Sequence, residues 1–134
     1  MSMSQFAEIT GLFSKVARDY RTPFTEYSNL PFQPYEVEGR QGVSIHRLYD
    51  TRDATPPGPA AAIVRYASNA WTPRHIHPGY ELLLVLEGEL IDDRGRHGPG
   101  TLQIYPPESN HELSSKNGCT FLVVWEQPVQ AFTS

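Results

Sequence analysis

An all-β sandwich or barrel is the fold class this sequence predicts, on three observations. From residue 43 onward, short runs rich in β-branched, aromatic and aliphatic residues recur at close intervals. Turn signals separate them: TPPGP, NAWTP, HPG, EG, DDRG, HGPG, YPPES and KNG. No helical periodicity intervenes between the runs. The chain has 134 residues, against a usual domain of about 100–200. One domain is therefore expected, long enough to bury a core without disulfide or metal support.

Taken in order, residues 4–20 place Phe6, Ile9, Leu12, Phe13, Val16, Ala17 and Tyr20 close to helical spacing, which predicts a short amphipathic helix. Gly11 within it costs about 1 kcal/mol relative to alanine. Residues 21–42 carry Pro23, Pro31, Pro34, Gly39 and Gly42 and read as an irregular crossing segment with one edge strand. The predicted strands are Val43–Tyr49, Ala60–Ser68, Tyr80–Leu86, Glu89–Ile91, Thr101–Tyr105, His111–Leu113 and Thr120–Trp125. LLLVL, at 82–86, is apolar at every position instead of alternating, so a central strand covered on both faces is expected there.

Composition excludes several function classes. The net charge is −4 and the isoelectric point is near 5.7, with no cluster of lysine or arginine, so nucleic acid is not the expected partner. Cys119 is the only cysteine, which rules out an internal disulfide and a cysteine-based zinc finger and suits a reducing cytosol. The start, MSMSQFAEIT, lacks the basic and apolar regions of a signal peptide. No apolar run approaches the ~20 residues that span a bilayer. A cytoplasmic protein without membrane contact is expected.

The chemistry concentrates in RHIHPGYE, residues 74–81. Side chains on a strand alternate faces, so His75 and His77 point the same way if that stretch is extended. Glu81 shares their parity, although the turn at Pro78-Gly79 leaves its direction open. A catalytic first-row metal needs three or four donors and an open position. His111, which follows PPESN and opens a new extended run, is the candidate from a separate strand.

These residues resemble the two motifs of the cupin superfamily. The first, G-x5-H-x-H-x3,4-E-x6-G, matches N-AWTPR-H-I-H-PGY-E-LLLVLE-G over residues 69–88. The second, G-x5-P-x-G-x2-H-x3-N, matches G-TLQIY-P-P-E-SN-H over residues 100–111. The resemblance implies a double-stranded β-helix, a small jelly-roll barrel, holding one metal through His75, His77, Glu81 and His111. Three positions depart from the pattern. Asn69 and Glu108 stand where glycines are usual, and Ser115 replaces an asparagine. Asparagine tolerates the left-handed conformation; Glu108 strains its turn or brings a carboxylate near the mouth.

Within the superfamily the chain is most similar to the ChrR-type cupin domain, through PRHIHPGYELLLVLEGELIDDRGRHGPGT, YPPESNH and Gly118-Cys119. Residues 1–27 then read as an N-terminal extension and 28–134 as the cupin domain. ChrR-type anti-sigma factors carry a separate N-terminal zinc module; none is read in residues 1–27, so anti-sigma function is not expected. Related stand-alone cupins include iron-dependent dioxygenases that cleave carbon–carbon bonds in small ketones and diketones. Three function classes follow. One is a metalloenzyme of that kind, with Glu81 also acting as a catalytic base. Another is a zinc-binding small-molecule sensor without turnover, and the third is a structural cupin that only assembles. Three histidines and a carboxylate without sulfur select Fe2+ or Zn2+, with Mn2+ and Ni2+ (and Cu2+) in the same range. The resemblance also implies a homodimer.

The remaining candidates carry plainer readings. His46 lies on a strand and reads as satisfied or exposed, while His97, in RGRHGPG, reads as exposed. Cys119 reads as a small apolar packing residue. Trp71, Tyr80, Tyr105 and Trp125 are candidates to line a pocket but read as core or interface aromatics. Arg74 and Glu108 flank the motifs and read as solvated.

Overall fold

The computed structural model describes residues 26–132, which divide into two compact units between Pro31 and Phe32. In the first, a 3-10 turn at Tyr27–Asn29 is closed by the Leu30 N–H donating to the Tyr27 carbonyl. The helix predicted over residues 4–20 lies outside the described residues.

The second unit is all β. Its strands are β1 (Gln33–Pro34), β2 (Gln41–Asp50), β3 (Ala60–Ile76), β4 (Glu81–Gly88) and β5 (Leu90–Asp92). They continue with β6 (Gly95–His97), β7 (Leu102–Tyr105), β8 (Asn110–Ser115), β9 (Cys119–Trp125) and β10 (Gln130–Ala131). All pairings are antiparallel, in the order β6-β5-β8-β3-β9-β4-β7, with β2 and β10 also joined to β3 and β1 to β2. The sheet curls into the expected jelly-roll barrel.

The 17-residue β3 makes the curl possible. Its first half, residues 60–66, lies between β2 and β9, while its second half, 70–76, pairs with β8 and β10. One strand thus serves both layers. NAWTP, expected to reverse the chain, instead bends this strand. Asn69 adopts φ 65, and the ladder to β2 jumps from Val43↔Tyr66 to Gln41↔Trp71. A second register shift, between Thr72 and His75, accommodates Pro73, whose ring nitrogen cannot donate to a ladder. The turn chemistry is real, but partners on both sides keep the backbone extended through it. β6 escaped the sequence reading because GRH is short and polar; it pairs with β5 around the DDRG turn.

Apolar side chains fill the barrel: Val43, Val64, Tyr66, Leu83, Val85, Leu113, Phe121, Val123 and Trp125 are all buried. β4 alternates. Glu81, Leu83 and Val85 face inward, whereas Leu82, Leu84 and Leu86 are half-buried on the outer face. The expectation that LLLVL is covered on both faces is met only on the inner one. Outward, Leu82 pairs with Ile104 and Leu84 with Leu102, which are 51% and 54% exposed. At the end of β4, Gly88 (φ +76) cannot be replaced freely, because a Cβ there would collide with the Gly118 carbonyl oxygen.

Candidate metal centre

The strand ladder brings the four predicted donors together. His75 on β3 stands directly opposite His111 on β8, which puts the two imidazoles side by side. The backbone pairing continues past the strand end: His77 N–H donates to the Ser109 carbonyl, and Glu108 N–H to the His77 carbonyl. His77 therefore stays in register, on the same face as His75. The chain then turns at Pro78-Gly79. A Cβ on Gly79 would lie 2.9 Å from the Glu126 carboxylate and 3.0 Å from its Cβ, so only glycine passes there without displacing Glu126. Glu81 opens β4, opposite both Tyr105 and Trp125, with its side chain directed inward.

All four side chains are buried, and their donor atoms lie within 4.8 Å of one another. His111 Nε2 is 2.9 Å from His75 Nε2, 3.1 Å from His77 Nε2 and 3.3 Å from Glu81 Oε2. Glu81 Oε2 is 3.1 Å from His77 Nε2. For metal–ligand bonds of about 2.1 Å, donors at right angles sit about 3.0 Å apart and tetrahedral ones about 3.4 Å. The four edges of 2.9–3.3 Å lie close to this range, so the four atoms fit around one small cation.

Hydrogen bonding on the far side of the rings sets which nitrogen is available. Ser109 Oγ donates to the Pro106 carbonyl and so accepts from His77 Nδ1–H at 3.0 Å. His75 Nδ1–H donates to the Pro73 carbonyl at 3.2 Å. Both Nε2 atoms then carry lone pairs facing the cluster, the arrangement of metal-binding histidines. His111 has one ring proton and cannot satisfy all three neighbours. Glu81 Oε2 and His111 Nδ1 are buried without a hydrogen-bond partner among the described residues. Burial, followed by the neighbouring imidazoles, holds His111 far below the usual histidine range. Burial likewise lowers His75, against a smaller opposing pull from Glu81. Protons are therefore disfavoured where converging acceptors need a positive charge. This donor set fits a divalent metal.

A second polar cluster supports the first. The Tyr105 ring stacks on His77 (centroids 5.3 Å apart) and meets His111 edge-on (4.2 Å). Its hydroxyl donates to Asp92 Oδ2 at 2.7 Å. Asp92 Oδ1 also accepts from His97 Nε2 at 2.7 Å and from the Arg94 backbone N–H at 2.8 Å. Gln103 Nε2 lies 2.9 Å from the His97 ring nitrogens. Burial tends to raise the Asp92 pKa, but these donors outweigh it and leave the carboxylate below its ordinary value. His97 is thus not exposed as expected; the hairpin β5–β6 folds it back onto Asp92.

Beside His75 and Glu81 lies a cavity of about 20 Å³, room for about one water. Its walls include Leu83, Phe121, Val123 and Trp125, with Arg40, Tyr66 and Thr72 as polar members. The Tyr66 hydroxyl is hydrogen-bonded to Thr72 Oγ1. Trp125 and Tyr105 thus border the site, whereas Tyr80 is exposed and Trp71 half-buried. Arg74 is bound to Asp93 (2.7 Å) and Asn110 (2.8 Å) near the surface, and Glu108 is exposed. Cys119 is buried, and burial pushes its thiol up to about 11, as suits a packing residue. His46 is buried on β2, its ring 6.3 Å from that of Phe32.

Sequence reasoning missed Arg40, Tyr66, Thr72, Ser109 and Asp92. Ser109 had a local signal, a hydroxyl two residues before a ligand. Tyr66 and Thr72 flank the bulge of β3, so strand parity could not relate them. Arg40 sits in the irregular segment, outside any motif.

Comparison with known proteins extends this picture. Residues 23–129 match the family model of the ChrR cupin-like domain. Among solved structures, the chain is similar to the polyketide cyclase RemF from Streptomyces resistomycificus. The two share 24% identity and a TM-score of 0.65, over 82% of this chain and 85% of that one. It is also similar to an acetylacetone dioxygenase from Acinetobacter johnsonii (13% identity, TM-score 0.71, 83% and 78% covered). A third similarity is to the complex of Rhodobacter sphaeroides SigE with the anti-sigma ChrR (23% identity, TM-score 0.60, 94% and 68% covered). No curated protein sequence matches significantly.

Proposed function

Because the chain belongs to the ChrR cupin-like domain family, we propose that it is a single-site metalloenzyme, an Fe(II)-dependent dioxygenase acting on a small 1,3-dicarbonyl compound. The observation that carries this reading is the convergence of His75, His77 and His111 Nε2 with Glu81 Oε2 inside an apolar barrel, with His111 Nε2 2.9–3.3 Å from the other three. Two structural relatives support the substrate class. One is named for acetylacetone and the other for a polyketide, and both substrates carry 1,3-dicarbonyl units. When bound, ferrous iron would supply an electrophilic, redox-active centre at which the substrate oxygens and dioxygen can meet.

The chain's own residues have three tasks. His75, His77 and His111 hold the ion, with Ser109 and the Pro73 carbonyl fixing the first two rings. Glu81, through a carboxylate oxygen, accepts the proton that a 1,3-dicarbonyl loses from its central carbon on becoming an enolate. Leu83, Phe121, Val123 and Trp125 keep bulk water from the enolate. A cytoplasmic setting and a homodimer belong to the same reading. The outward face of β4, β7 and β9 supports the dimer, since it presents Leu82, Leu84, Leu102, Ile104, Leu122 and Val124 side by side.

The test is oxygen uptake by protein reconstituted with Fe(II) under anaerobic conditions, on exposure to air and pentane-2,4-dione. Uptake above the metal-free level, lost in His111→Ala, is expected; silence with iron, manganese and nickel alike overturns the enzyme reading. The ChrR similarity favours the second reading, a zinc-dependent binding module. That reading predicts ligand-induced stabilisation of the zinc form without product.

A further inference from the structure

The cavity beside His75 and Glu81, at about 20 Å³, has room for about one water. Even the smallest 1,3-dicarbonyl has several times as many heavy atoms, so one wall must move to admit it. The lining residues lie on β2, β3, β4, β8 and β9, each held in the sheet on both sides, with two exceptions. These are Tyr35 and Arg40, at the two ends of the short segment that crosses from β1 to β2.

This strap, residues 35–40, holds itself together. The Arg40 guanidinium forms an ion pair with Glu38 (Nη1 to Oε2, 3.6 Å) and donates to the Val37 carbonyl at 3.2 Å. The Arg40 backbone N–H donates to the same carbonyl at 3.2 Å, and the Tyr35 ring centroid lies 4.4 Å from the guanidinium carbon. A buried arginine stripped of its partners is costly. Here those partners travel with it, so lifting the strap breaks none of them. Three contacts fasten the strap to the barrel. Tyr35 N–H donates to the Val43 carbonyl at 2.8 Å, and the Arg47 guanidinium carbon sits 5.3 Å from the Tyr35 ring centroid. Gly39 packs on the Pro73 ring so closely that a Cβ would lie 3.0 Å from its Cγ. This seat adjoins the metal centre, because the Pro73 carbonyl anchors the His75 ring.

Resting on the proposed function above, we infer that residues 35–40 form a lid, which lifts as a unit while the barrel stays folded and gates entry of the dicarbonyl to the metal. Glu36, Val37, Glu38 and Gly39 are exposed, so the outer side of the strap faces water. Glu38 holds φ 56, a left-handed backbone that costs a residue with a side chain, and this narrows the advantage of the closed form. The pivot is Gly42 (φ 70), where the β2 ladder breaks register between Gln41 and Val43. Segments with few buried contacts are where folds open locally. Closed, Tyr35 and Arg40 seal the cavity against water; lifted, they leave it open on that side.

Residue-resolved amide hydrogen exchange on the full-length protein tests the opening. The Tyr35 and Arg40 amides, both hydrogen-bonded, are expected to exchange about tenfold or more faster than the paired amides of β2. Equal protection would mean that the strap opens only when the barrel unfolds; it overturns the inference and leaves the metal reading intact. Gating is read from binding rates to cobalt-loaded protein, followed in the visible spectrum, with azide as the small probe and pentane-2,4-dione as the dicarbonyl. In Gly39→Ala the added Cβ presses on Pro73 and disfavours the closed strap. The dione should then bind about 3- to 10-fold faster, with azide within about twofold of the wild type. An unchanged dione rate overturns the gating. If azide binds both proteins and the dione neither, the gating and the dicarbonyl reading fall together. If neither probe changes the cobalt spectrum, the metal reading fails and the exchange comparison decides the strap. That comparison needs no variant, so it also decides if Gly39→Ala does not fold.

Discussion

Two buried polar clusters share the Tyr105 ring, and they are built on opposite principles. Around Asp92 every acceptor meets a donor: Tyr105 Oη–H, His97 Nε2–H and the Arg94 backbone N–H converge on one carboxylate. Around Glu81 the side chains turn acceptors toward one another, with the ring protons of His75 and His77 committed behind them. The first cluster is complete within the chain and reads as structure. The second has good geometry only around a cation. Burial alone therefore does not distinguish a functional polar group from a structural one; the balance of donors and acceptors does.

The sharpest way to break this contrast is metal loading. Saturation to a thousandfold above Kd is expected to stabilise the chain by about 4 kcal/mol. In His77→Ala, elemental analysis should show affinity reduced by about a hundredfold or more, beyond the 10–100-fold typical of outer-shell changes. Unchanged metal content in that variant would make the two clusters equivalent.

Acid separates them next. Burial keeps His75 and His111 neutral in the fold, so below the ordinary 6.5 the unfolded chain binds more protons than the native one. Chelator-treated protein should then lose stability as pH falls below 6.5. Bound metal keeps the same imidazoles unprotonated, so it raises stability without removing that arm. Asp92, with a lowered pKa, contributes stability that is complete above the ordinary 3.8 and is lost only as pH falls below it. Urea titrations at stepped pH check both arms, and a single arm starting near 4 would refute the assignment.

Removing one donor from the closed cluster is a smaller perturbation. Tyr105→Phe is expected to cost about 2 kcal/mol by leaving Asp92 short of a hydrogen bond, while metal still binds. Ser109→Ala should have the converse effect. Stability changes little, but metal affinity falls about tenfold as the His77 ring loses its anchor. The smallest effect lies in the turn between them. Glu108 holds φ 73 where glycine carries no penalty, so Glu108→Gly should raise thermal stability by about 0.5–1 kcal/mol without altering metal content.

Much of this was legible along the chain, because strand alternation and turn residues act over a few positions. HxH parity placed His75 and His77 on one face, and the downstream histidine was identifiable as the strand-opening His111. Asn69 was read as tolerant of a left-handed backbone, and it adopts one. What the linear pattern could not carry was direction after a turn and partnership across the sheet. Glu81 points inward because β4 is clamped between β7 and β9. NAWTP stays extended because β2, β8 and β9 hold β3 at intervals on both sides. His97 looked like a surface residue until the β5–β6 hairpin folded it onto Asp92.

The sequence by itself determined the all-β class, the family and three imidazoles with a carboxylate at the right intervals, since each depends on spacing within one or two strands. Only the tertiary structure decided which ring nitrogens are free, which polar cluster is closed, and that Arg40 reaches the same cavity. Those properties depend on what lies behind and beside each side chain, and that is fixed by contacts between segments distant in the chain.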